Sequence, residues 1–135
     1  MKKLFAAILT AALLGLGLVA TTSTPASAAC GYVACVNTTT VVSAKNRKVG
    51  QKASVKVVVG SDGTVKPRGT VTVVVKGPNG YKKTVTVAYT GQPLNLKLGR
   101  VFRTGDYTVK ASFEGTANGT FDSSTGRDTF TVKRK

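Results

Sequence analysis

The stretch Gly105-Asp106-Tyr107-Thr108-Val109-Lys110-Ala111-Ser112-Phe113 places Tyr107, Val109, Ala111 and Phe113 on one side of an extended chain and Thr108, Lys110 and Ser112 on the other. A period of two with one apolar face is the pattern of a half-buried strand. A Thr-Gly pair precedes the run and Glu114-Gly115 follows it, so turn chemistry bounds it at both ends. It reads as a central strand of a two-layered β structure.

Working outward, the C-terminal side offers one more strand, Thr129 to Lys133, with Phe130 and Val132 inward. On the N-terminal side come Leu94 to Leu98 with all three leucines inward, and Lys83 to Tyr89 with Val85, Val87 and Tyr89 inward. Before them the hairpin turn Gly77-Pro78-Asn79-Gly80 follows Val71 to Val75. Ala53 to Val59 buries Ala53, Val55, Val57 and Val59 and ends at the Gly60 to Gly63 turn. Val58 and Val74 break the alternation and point away from the core. Thr38 to Ser43 is the first strand, and Ala44 to Gly50 is a basic turn. Seven short strands at this spacing, with no helical period after the leader, predict an all-β, immunoglobulin-like sandwich of about seven antiparallel strands.

The first 28 residues have a different character. Lys2 and Lys3 precede an apolar run from Leu4 to Ala20, and Ala26-Ser27-Ala28 supplies small residues for cleavage. This predicts a signal peptide over 1–28, cleaved after Ala28 or Ala29, and a secreted or cell-envelope location. A short arm over 29–37 carries Cys30 and Cys35, expected to pair as a disulfide outside the cytoplasm. Residues 38–135 form the sandwich, a single domain of about a hundred residues.

Several segments resemble the bacterial Ig-like repeat domain family: Val49-Gly50-Gln51 before a Val-rich strand, Pro67 to Val73, Gly105 to Gly115, and Phe121 with Ser124-Thr125 before the last strand. The resemblance runs from about Val41 to Lys133. It implies that these segments are the entry to strand B, strand C, strand F and the F to G connection. It also implies a structural or adhesive module of secreted or surface proteins. In such sandwiches a Tyr at the start of strand F bonds back to the preceding loop, and Tyr107 is placed for that role.

The residues of catalysis are scarce. There is no His, which removes the commonest general base and metal ligand. The acids are Asp62, Asp106, Glu114, Asp122 and Asp128, expected to solvate turns. No catalytic, metal or cofactor site is expected, and no enzymatic activity.

Charge is the strong anomaly. The formal net charge of +15 falls by two, to +13, once Lys2 and Lys3 are removed. Antiparallel order sends Lys45, Arg47, Lys48, Lys52, Lys76, Lys82, Lys83, Arg100, Arg103, Lys133, Arg134 and Lys135 to one end of the domain, with Asp106 as the acid there. Lys66, Arg68 and Arg127 go to the other end with the remaining four acids, and Lys56, Lys97 and Lys110 lie between. A basic pole of this kind is expected to dock on an anionic cell-wall polymer or membrane surface. Nucleic acid is disfavoured, because only Tyr81 and Phe102 interleave with the bases. A monomer is expected, and the alternative is a protein-protein adhesion or interaction module whose basic charge serves only solubility.

Overall fold

The computed structural model describes residues 35–116 and 120–135. The predicted signal peptide and Cys30 therefore lie outside the described residues. Cys35 lies inside them and is not a free thiol.

Among the described residues eight strands follow in order: β1 (Thr38–Ala44), β2 (Arg47–Lys48), β3 (Lys52–Ser61), β4 (Gly69–Lys76), β5 (Lys82–Tyr89), β6 (Leu94–Arg100), β7 (Gly105–Gly115) and β8 (Ser124–Lys133). They form a three-stranded sheet, β1-β3-β6, and a five-stranded sheet, β2-β8-β7-β4-β5. Pro78–Gly80 is a tight turn, with Asn79 and Gly80 at positive φ to reverse the chain between β4 and β5 and Tyr81 N donating to Pro78 O at 3.2 Å.

The core follows from the alternation. Val55 and Val57 of β3, Val71 and Val73 of β4, and Val109, Ala111 and Phe113 of β7 are fully buried between the sheets. Burying each large side chain contributes about 1.5–3 kcal/mol. The stretch Gly105 to Phe113 lies within β7, which is flanked by β4 and β8 as a central strand. Towards the open side of the sandwich, Val85, Val87, Leu94 and Leu96 are only half-buried rather than core residues, because β5 and β6 are the edges of their sheets. Tyr89 closes that side. Its hydroxyl accepts from Val59 N (3.0 Å) and donates to Val59 O (3.2 Å), satisfying backbone groups that β6 does not reach.

Two expectations change where the sheets meet. Arg47–Lys48 is not part of a simple turn but a short strand, β2, paired in parallel with β8. The chain thus leaves one sheet at Ala44 and joins the other at Arg47, which raises the count to eight strands and makes one pairing parallel. The last strand starts at Ser124 rather than Thr129. Its inward positions are small or polar, Ser124, Gly126 and Asp128, because β1 crosses directly over them. The Thr38 hydroxyl donates to Ser124 Oγ (2.8 Å), and Thr40 Oγ1 bonds the same atom at 2.7 Å. Ala44 N donates to Asp128 Oδ2 at 2.7 Å. At Gly126 a Cβ would sit 2.3 Å from the Thr40 carbonyl oxygen, so only glycine admits β1 at this approach.

The hydrogen bonding of the sandwich also begins before Thr38. Val36 forms an isolated parallel bridge with Phe121, through Val36 N to Thr120 O (2.9 Å) and Asp122 N to Val36 O (3.0 Å).

Candidate functional site: the basic pole

Strands β4, β6 and β8 end, and β3, β5 and β7 begin, at one end of the sandwich. The pairing there sets like charges against each other: Lys76 opposite Lys82, Lys52 opposite Arg100, and Lys48 beside Lys133. Like charges directly opposite on a sheet are destabilising by up to about 1 kcal/mol each. Lys45, Lys48, Lys52, Lys76, Lys82, Arg100, Arg103, Lys133 and Arg134 are exposed at or beside this end.

Lys83 and Arg47 differ from that group. A register shift at Ala53/Ser54 leaves Leu98 without a partner in β3, and Lys83 Nζ donates to the Leu98 carbonyl at 2.8 Å. Lys83 is half-buried and braces the edge between β5 and β6, so it is a structural residue more than a free cation. Arg47 is also half-buried, and its Nε is buried with no hydrogen-bond partner.

Arg127 and Asp128 do not lie at the opposite end. The longer β8 carries them into the middle of the five-stranded sheet, Arg127 opposite Lys110 and Asp128 opposite Val109. The cause is the small-residue face of β8 under β1, which continues the alternation through Ser124 and Gly126 without an apolar side chain to mark it. On the outer face, the Lys110/Arg127 row lies two residues, or about 7 Å, from the row of Lys76 and Lys82. The positive surface therefore continues from the pole onto the sheet. The next row outward from the pole, Thr86, Thr72, Ser112 and Thr125, is made of hydroxyls.

Loops of the pole are tied to the core. The Tyr107 hydroxyl donates to the Arg103 carbonyl at 3.1 Å, the geometry of a tyrosine corner. Its ring stacks on Phe130 at 5.0 Å and meets Tyr81 edge-on at 5.5 Å. Gly77 leaves the space this ring needs, since a Cβ there would lie 2.4 Å from Tyr107 Cε1. Burial pushes the Tyr107 phenol above its ordinary pKa, with Tyr81 adding to the rise and the Arg103 guanidinium opposing it. The connection from β6 to β7 is pinned further by Val101 N to Gln51 O (3.1 Å) and Gly50 N to Val101 O (2.7 Å). It contributes Phe102, Arg103 and Thr104 to a shallow, open cleft of about 520 Å³ that is also lined by Val49, Asn79, Arg134 and Lys135. The concavity was not legible from the strand pattern; the one signal for it was Phe102, a large aromatic in a basic loop.

No family model matches the chain, and no curated protein matches it. Solved structures do. The CARDB domain of a Pyrococcus furiosus protein, solved in complex with di-metal ions, superposes with a TM-score of 0.51 at 15% identity, covering 75% of this chain and 96% of that one. The PKD domain of an M14-like peptidase from a Thermoplasmatales archaeon gives 0.48 at 16% identity, covering 73% and 95%. A conjugative transposon lipoprotein from Bacteroides eggerthii gives 0.42 at 15% identity, covering 69% and 95%. At 15% identity the likeness to the CARDB domain bears on the fold alone, an Ig-like sandwich, and carries no ligand with it. Among the described residues here, no group of three or more His, Cys, Asp or Glu is placed to hold a metal ion.

Proposed function

We propose that this protein is a non-enzymatic, secreted Ig-like module, of the kind found in bacterial Ig-like repeats, that docks on an anionic polymer of the cell envelope through its basic pole. The observation that carries this reading is the set of like-charge cross-strand pairs: Lys76/Lys82, Lys52/Arg100, Lys48/Lys133 and Lys110/Arg127. Each costs the free domain stability. A polyanion laid across them removes that repulsion and releases its own counterions, so binding is favourable and steeply weakened by salt. The hydroxyl row beside Lys110 and Arg127 adds neutral hydrogen-bonding capacity on the outer face of the five-stranded sheet.

The test is co-sedimentation of the purified protein with cell-wall sacculi, with and without their anionic polymers, across a salt series. Binding that is lost with those polymers and at high salt is the expected result. Lys76→Glu with Lys82→Glu is expected to weaken it more than Lys66→Glu with Arg68→Glu, which lie at the other end. Equal effects would reduce the reading to general polycation behaviour. Absence of binding at low salt would make the charge a solubility feature.

A further inference from the structure

The cleft at the basic pole has a composition that charge attraction alone does not require. Phe102 is 68% exposed, yet it is not a loose loop residue. Its neighbour Val101 is buried and bonded in both directions to the Gly50/Gln51 segment, and its other neighbour Arg103 is held through its carbonyl by Tyr107. The ring is thus presented by a backbone fixed on both sides. Phe102 and Val49 supply apolar surface to the cleft, while Arg103, Arg134 and Lys135 supply positive charge and Asn79 and Thr104 supply neutral polar groups. No Asp or Glu side chain lines it. It is an open depression on the surface rather than an enclosed pocket, so a ligand there would lie against one face and stay partly in water.

An apolar ring face beside guanidinium groups suits a ligand that combines an apolar face with an anionic substituent. A pyranose bearing a carboxylate or phosphate has both: its axial C–H groups meet the negative face of an aromatic ring, and its anionic group takes charge-assisted bonds from arginine. A ringless polyanion would use only the cations. A single-stranded nucleic acid binds by stacking successive bases on successive aromatics. Among the described residues of this end, Phe102 is the exposed aromatic, since Tyr81 is half-buried in its contact with Tyr107.

Building on the docking reading above, we infer that this cleft is a subsite for one anionic sugar ring, with Phe102 as the stacking platform and Arg103 and Arg134 as the anion contacts. The pole then attracts polyanions in general, and the cleft selects those with acidic sugar in their repeat.

The experiment titrates the full protein and its Phe102→Ala variant, by calorimetry at low salt, with three probes: inorganic polyphosphate, an oligogalacturonate and an oligothymidylate. Because Phe102 is exposed, the variant is expected to melt with the parent, which is checked first. The expected result is a loss of about fivefold or more in oligogalacturonate affinity, the scale of one stacked ring, with polyphosphate affinity within about twofold of the parent. An unchanged oligogalacturonate affinity, or an equal loss for polyphosphate, would overturn the subsite while leaving polymer docking intact. A larger loss for oligothymidylate would overturn it in favour of a base-stacking site. Failure of the parent to bind both polyphosphate and oligogalacturonate would sink the docking reading and the subsite together.

Discussion

Replacing Gly126 with Ala tests how the two sheets are closed on one side. The added Cβ would lie 2.3 Å from the Thr40 carbonyl oxygen, 2.9 Å from its carbon and 3.0 Å from Val42 Cγ2, where ordinary contact begins at 3.4 Å. Two of those atoms are backbone, so no rotamer change relieves the contact, and β1 must retreat from β8 by about 1 Å. Such a retreat stretches the bonds from Thr38 and Thr40 to Ser124 and from Ala44 N to Asp128 Oδ2, which stand at 2.7–2.8 Å. With about 1 kcal/mol net for each bond weakened, the variant is expected to lose about 3 kcal/mol. For a domain of this size that lowers the melting temperature by about 12 °C or more. Thermal melts followed by circular dichroism measure the shift, and hydrogen exchange at the Ala44 amide reports the local opening. Gly80→Ala is the control: it has no atom within 4 Å but a φ of +75°, and is expected to cost only about 1–2 kcal/mol of backbone strain. A Gly126→Ala melt within about 3 °C of the parent, under 1 kcal/mol by the same scaling, would refute the close crossing of β1 over β8.

Three further outcomes are expected. Tyr89→Phe leaves Val59 N and O buried without the hydroxyl that serves both, and is expected to cost about 2–3 kcal/mol by urea denaturation; a cost under about 0.5 kcal/mol would mean the bonds are not made. Tyr107→Phe removes one bond to Arg103 while keeping the ring stack, at about 1 kcal/mol. Because the folded phenol has a raised pKa, the native state holds its proton more tightly; the stability this gives is full below the ordinary value of 10.0 and is lost as pH rises through the folded pKa. The difference between parent and Tyr107→Phe should therefore shrink above pH 10, and a constant difference would contradict the raised pKa. Lastly, added sodium chloride should raise the melting temperature of the free protein, since screening relieves the like-charge pairs; a flat response would show that the opposed bases do not repel.

Much of the sandwich was legible because strand alternation is a local property. Tyr107, Val109, Ala111 and Phe113 share a face by backbone geometry alone, and the same holds for Val55, Val57, Val71 and Val73. Turn residues mark where each run must end, and antiparallel order then sends Lys76, Lys82, Arg100 and Lys133 to one pole. What the pattern could not carry depends on which strand lies across from which. Gly126 is a turn signal in isolation and becomes a strand residue only because Thr40 presses on it. Arg127 leaves the far end for the middle of the sheet as a consequence, and joins Lys110 on the outer face. Lys83 reads as one more surface charge until the register shift beside Leu98 gives its ammonium a carbonyl to bind. Phe102 is an ordinary loop aromatic in sequence. Its place in a cationic cleft arises where the β6 to β7 connection, the Pro78–Gly80 turn and the end of the chain converge, residues far apart along the chain that only tertiary packing brings together.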